Sequence, residues 1–197
     1  MNTVDERNVD PIQEMTRVAQ SFLNLAIWGF KESYRSAKPG NLIYDSKWCR
    51  VNFVWGGWDQ LGGNSISIYY GRLNAPNEKA TMIWNGEDCY CWHRIELVLH
   101  LLDSQTPESA SKMIYTHRLV EQYKQSDLGR SLTGKRRQPE WLVRMHAMIW
   151  EQYAPRLFEI FDLHRPDLWE QYRKFLKQVY DIKGRSPNIK PSLDKVC

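Results

Sequence analysis

An α+β fold is predicted by the sequence: an N-terminal helix, a small antiparallel β-meander, then a mostly helical C-terminal region. Three patterns carry that expectation. Apolar residues recur at helical spacing behind a capping signal at Asp10. Short runs rich in Ile, Val and aromatic residues, bracketed by Gly and Asn turns, fill residues 46–84. Helical periodicity returns after Thr106, with prolines at the segment starts.

The first helix is signalled at both ends. Asp10 suits the free N–H groups of a helix start, Pro11 fits the first turn, and Gln13 completes a capping-box-like pattern. Ile12, Met15, Ala19, Phe22 and Ala26 follow at three- and four-residue spacing, with Val18 and Leu25 beside them. Lys38-Pro39-Gly40-Asn41 is expected to stop the helix.

Three strands are expected next. Ser46–Trp55 sets Val51, Phe53 and Trp55 on one face and Asn52 and Val54 on the other. Ser65–Leu73 is rich in Ile and Tyr, and Ala80–Trp84 is a third short strand before Asn85-Gly86. Tyr69 and Tyr70 point to opposite faces, which predicts one buried and one exposed. Short connections favour an antiparallel meander, and so small a sheet must pack on helices.

Asp88–Asp103 reads as a largely apolar helix. Beyond it, Thr106-Pro107 opens a helix with Ala110, Met113, Ile114, His117 and Val120 on one face. Gln138-Pro139-Glu140 starts another, with Trp141, Leu142, Met145 and Ile149 inward, which Pro155 kinks or divides. Pro166 starts the last, lined by Trp169, Tyr172, Leu176 and Val179 and stopped by Gly184. Residues 1–104 thus hold a helix, a sheet and a buried helix. Residues 105–184 form a helical region packed on them within one domain, and 185–197 read as a flexible tail. Trp-Glu-Gln-Tyr occurs at 150–153 and again at 169–172, without the constant period of a solenoid. It reads as repeated packing, with Trp and Tyr inward and Glu and Gln outward.

Composition narrows the function classes. With 42% apolar and 25% charged residues in 197, wholesale disorder is excluded. Met1–Asp10 has no apolar signal core, and the longest apolar window, Ile95–Leu102, is too short to span a bilayer. Four irregularly placed cysteines make no disulfide framework, so a reduced cytoplasmic setting away from membranes is expected.

Charge is segregated by sign. Up to Asp103 there are ten lysines and arginines against twelve acids, a balance of −2; beyond it there are seventeen against eleven, a balance of +6. The densest basic cluster is Arg130, Lys135, Arg136 and Arg137, with no acid between Asp127 and Glu140. Such a loop suits phosphate contacts through Coulomb attraction and counterion release. The first expectation is therefore a non-catalytic accessory subunit contacting nucleic acid or a nucleoprotein complex through its basic helical half. The alternative is an adaptor or inhibitor that grips a protein partner with an aromatic patch at Trp55 and Trp58.

A third reading is a metal-assisted hydrolase. On a helix, His93, Glu96, His100 and Asp103 share one stripe, and these side chains suit divalent metals or proton transfer. The spacing is neither a zincin motif nor a complete di-iron set. Cys89, Cys91 and His93, completed by Cys49 or His100, contain the right ligand types for zinc, but the cysteines are too closely spaced. Gly129–Lys135 matches the opening of a phosphate-binding loop, yet Arg136 stands where Ser or Thr would reach magnesium and no strand precedes it. No cofactor or metal is therefore expected.

Overall fold

The computed structural model describes residues 10–37, 40–55, 66–75, 77, 92–114, 116–132 and 140–182. Helix α1 (Pro11–Phe22) starts as its sequence signals: Asp10 Oδ1 accepts the Ile12 N–H at 3.0 Å. Ile12, Met15, Val18 and Ala19 face the core.

The helix ends far earlier than its periodicity suggests. Residues 25–29 turn the chain back, with Gly29 at φ +71°, and two strands follow, β1 (Lys31–Ala37) and β2 (Gly40–Asp45). The apolar spacing through Ala26 therefore overestimates the helix. Of the expected stop Lys38-Pro39-Gly40-Asn41, Gly40 and Asn41 open β2, opposite Ala37 and Ser36, and the other two residues lie outside the described residues. Strand β1 has mostly polar, exposed side chains and so carries no alternating apolar pattern in the sequence. Its Glu32 and Arg35 pair with each other.

Two expected strands are present as β3 (Arg50–Trp55) and β4 (Ile66–Gly71); Ala80–Trp84 lies outside the described residues. The four strands form an antiparallel sheet in the order β1-β2-β3-β4. Val51 sits between Tyr44 and Tyr70, and Phe53 between Leu42 and Ile68, so these rows make the face that meets the helices. The opposite face is also covered. Ile43, Tyr69, Ala75 and Trp92 form a second apolar cluster there, joined by Tyr34 and Val54. Tyr69 and Tyr70 are consequently both buried, correcting the expectation that one is exposed. Their side chains do point to opposite faces, but at β4 each face is covered by an apolar cluster.

The chain then enters α2 (Ile95–Leu102), α3 (Pro107–Lys112), α4 (Arg118–Gln125), α5 (Asp127–Leu132), α6 (Glu140–Tyr153), α7 (Arg156–Glu159) and α8 (Pro166–Ile182). Together with α1 and the sheet they make the expected α+β architecture. The helix expected from Thr106 to Val120 is two helices, α3 capped by Thr106 and α4 capped by His117. Pro155 separates α6 from α7. In both Trp-Glu-Gln-Tyr segments Glu and Gln are exposed, while Trp150, Tyr153 and Tyr172 are buried and Trp169 half-buried.

One hydrophobic core runs through both halves, from Met15 and Phe53 to Trp150 and Tyr172. Its centre is aromatic. Phe30 stacks on Trp150, and Phe158 meets Phe30, Trp150 and Trp28 edge-on. Gly129 is set by steric need: a Cβ there would lie 1.8 Å from the Tyr123 carbonyl oxygen.

Candidate functional site

The polar stripe expected on one helix is divided among different neighbourhoods. Helix α2 begins at Ile95, so His93 is not on it. His93 instead forms an isolated β-bridge with Tyr70, exchanging backbone hydrogen bonds of 2.7 and 2.8 Å. Its Nδ1 lies 3.3 Å from the Tyr172 hydroxyl, and its ring packs among Phe161, Trp169 and Tyr172. Glu96 accepts from Arg94 at 3.0 Å. His100 reaches the carbonyls of Thr116 at 2.8 Å and Met113 at 3.1 Å, and its other ring nitrogen faces Gln105. Among the described residues no three His, Cys, Asp or Glu side chains are placed to hold a metal.

Asp103, the fourth member, is the hub of a different cluster. Its Oδ2 accepts from Arg118 Nε at 2.8 Å and His117 Nε2 at 3.1 Å, and its Oδ1 from the Tyr153 hydroxyl at 2.5 Å. Burial pushes the Asp103 carboxyl upward, but the Arg118 and Tyr153 hydrogen bonds and the Arg118 charge outweigh it, leaving a pKa of about 2. Burial lowers the His117 pKa against the opposing pull of Asp103. His117 Nδ1 accepts the Leu119 N–H, which places the ring proton on Nε2, where it is given to Asp103. Both nitrogens are thus committed, so the arrangement lacks the free imidazole nitrogen that a general base uses. What the cluster does is tie together the adjoining ends of α2, α4 and α6.

A second buried network joins the sheet to α6. Trp150 Nε1 donates to the Tyr70 hydroxyl at 2.7 Å, and that hydroxyl lies 2.7 Å from His146 Nδ1. Burial, with a smaller push from Arg94, drives the His146 pKa down to about 3. The neutral ring accepts from Tyr70, whose own pKa burial raises well above its ordinary value. His146 and Trp150 lie four residues apart on one face of α6, a spacing that could have paired them in the sequence.

The other expected sites have separate outcomes. Arg130 pairs with Asp127 at 2.9 Å, while Lys135, Arg136 and Arg137 lie outside the described residues. Much of the surrounding positive charge is locally matched: Arg118 with Asp103, Lys124 with Glu121, Arg144 with Glu140, Arg165 with Asp167 and Arg173 with Glu170. Trp55 is half-buried against the core, close over Gly40, and Trp58 lies outside the described residues, as do Cys89 and Cys91. Cys49 is buried and its thiol pKa is pushed up by that burial. Gly129, the first glycine of the phosphate-loop lookalike, sits inside α5, its N–H on Ser126 Oγ and its carbonyl on Trp141 Nε1.

The structure adds an aromatic feature that the sequence did not single out. The turn after α1 and the outer side of α6 enclose a half-open cavity of about 130 Å³. Phe22, Leu23, Ile27, Trp28 and Ala147 line it, with Asn24 and Glu151 as polar members. Ile27 is 74% exposed, unusual for so large an apolar side chain beside a hollow. Arg144 covers the Phe22 ring at 3.9 Å.

No protein-family model matches the chain, and neither a curated protein nor a solved structure matches it. No helix among the described residues is long and apolar enough to cross a membrane.

Proposed function

We propose that the protein is a non-catalytic binding subunit that docks a protein partner through the cavity between the turn after α1 and α6. The observation carrying this reading is the hollow itself, half-open, of mixed apolar and polar lining and edged by an exposed Ile27. At about 130 Å³ it is close to the roughly 150 Å³ cavity that holds one benzene ring. Small-molecule sites are larger, roughly 300–1,000 Å³. One apolar or aromatic side chain of a partner fits such a volume, the usual form of an interface anchor. Glu151 at the rim is exposed and makes no ion pair among the described residues, so a Lys or Arg beside the anchor complements it. The reading keeps the aromatic docking role but moves it from Trp55 and Trp58 to Phe22, Ile27 and Trp28.

The test is cross-linking from position 27 in cells, followed by binding measurements on the captured protein. I27E should abolish binding without moving the thermal midpoint, and E151K should weaken it roughly tenfold, about 1.4 kcal/mol. Equal binding by wild type and I27E overturns the reading.

Contact with nucleic acid or a nucleoprotein complex is the second reading. It is favoured by the Lys135-Arg136-Arg137 run and by Lys112, Lys174 and Lys177, which are exposed and make no ion pair among the described residues. Binding to single- and double-stranded DNA and RNA across a salt series tests it. Affinity should fall steeply with salt and with charge reversal at Arg130, Lys135, Arg136 and Arg137. Indifference to both removes it.

A further inference from the structure

The turn after α1 holds an apolar side chain outward on a fixed backbone. Leu25 and Phe30 are buried, and the Phe30 N–H donates to the Leu25 carbonyl at 2.8 Å, closing the segment between them. Within it the Ile27 and Gly29 N–H groups donate to the carbonyls of Asn24 and Ala26 at 3.1 and 3.0 Å. Ile27 is thus a preset knob beside the cavity that Phe22, Trp28 and Ala147 line. Four residues on, Lys31 opens β1, exposed and without an ion pair among the described residues. Asp45, opposite Lys31 in the sheet, is taken by Arg50 at 2.8 Å.

Resting on the docking reading above, we infer that the partner is a second copy of this chain. In the two-fold dimer each Ile27 enters the other protomer's cavity and each Lys31 meets the other's Glu151. The cavity fits one apolar side chain with a base beside it, and Ile27 with Lys31 supplies both. The four-carbon Ile side chain is smaller than the benzene ring that roughly 150 Å³ holds, so a cavity of about 130 Å³ accommodates it. A two-fold interface requires that one patch carry both halves of every contact. This patch does: knob and hollow adjoin, and Lys31 and Glu151 are exposed opposite charges without ion pairs among the described residues. The closed turn orders Ile27 before association, which lowers the entropic cost of docking. Two small anchors and two exposed ion pairs make a weak, concentration-dependent dimer.

Sedimentation equilibrium of the full chain, from micromolar to millimolar concentration, tests the dimer. Wild type should associate, while I27E, which charges the knob, and A147L, which fills the hollow, should each weaken association roughly tenfold or more. K31E and E151K should each weaken it roughly tenfold, because one change breaks both symmetric pairs. The double variant K31E/E151K exchanges the charges and should return to within about threefold of wild type. Positions 27, 31 and 151 are exposed, so these variants keep the fold, and they decide should A147L lose it. A chain monomeric up to roughly 1 mM, a dimer indifferent to I27E, or a double variant no better than the single ones overturns the inference. A monomer whose position 27 cross-links to a different protein overturns the dimer alone; the docking reading falls separately, when I27E leaves that protein bound.

Discussion

Trp150 donates its indole N–H to the hydroxyl of Tyr70 at 2.7 Å, joining α6 to β4 in the middle of the core. The same hydroxyl meets His146 Nδ1 at 2.7 Å, so one oxygen satisfies two buried partners. Removing it in Y70F strands the Trp150 donor and the His146 acceptor together. Unsatisfied buried groups of this kind cost about 1–3 kcal/mol each, so the urea midpoint should fall by an amount equivalent to about 2–4 kcal/mol. Adding H146L should return part of the loss, because one stranded polar group disappears with it. A neutral Y70F would show that the hydroxyl contributes nothing to folding.

Stability should decline as solutions are acidified from neutrality. The folded state holds the His146 pKa near 3, against 6.5 for an ordinary imidazole, and the His117 pKa is lowered too. Between those limits the unfolded chain binds a proton that the folded chain refuses, so ΔG of unfolding rises with pH. The contribution is fully present above about pH 6.5, and below it His146 alone removes about 1.4 kcal/mol per pH unit. Asp103 acts lower: its depressed carboxyl stabilises the fold above its ordinary value of 3.8 and loses that effect as pH falls toward 2. Thermal midpoints from pH 7 to 4 check the slope, which should flatten in H146L.

Two glycines should respond differently to alanine. G129A drives a Cβ into the Tyr123 carbonyl, and relief requires α4 and α5 to separate, a cost of about 3 kcal/mol. G29A meets no atom within 4 Å, so only its left-handed φ of +71° is strained, about 1–2 kcal/mol. Denaturant melts of the two variants give the comparison directly, and G29N should recover part of the G29A loss.

The Asp103 cluster should be more sensitive to the carboxylate than to any single donor. D103N removes the charge that Arg118 and His117 face, whereas Y153F removes the hydroxyl's bond to Asp103 and a long one from Arg118 and leaves the ion pair. D103N is expected to cost about 1.5–3 kcal/mol and Y153F about 1 kcal/mol. Equal losses in equilibrium unfolding would mean that the Arg118 and His117 contacts add nothing.

How far the sequence reached depends on how each element announces itself. Asp10 and Pro11 mark the start of α1 through local chemistry alone, and Pro166 does the same for α8. Strand β1 announces nothing, since Lys31, Glu32, Ser33 and Arg35 are exposed and no apolar face marks the strand. The His93 to Asp103 stripe failed for a related reason. Arg94 stands at the N-cap of α2 in extended conformation, so helical geometry does not reach back to His93. Asp103 was visible as a polar residue of interest, but its partners come from 14, 15 and 50 residues downstream. No local pattern encodes contacts of that span. The cavity beside Ile27 was hidden similarly, because the expected helix covered the very turn that creates it.

The continuity of the aromatic core across residue 104 has a practical consequence for anyone cutting the chain. A fragment ending there would leave Phe30 and Tyr70 without rings that pack against them, and the complementary piece would expose Trp150, Phe158 and Phe161. Each piece alone should stay collapsed and sticky, whereas the two mixed together should reassemble, making the protein a natural candidate for a split reporter.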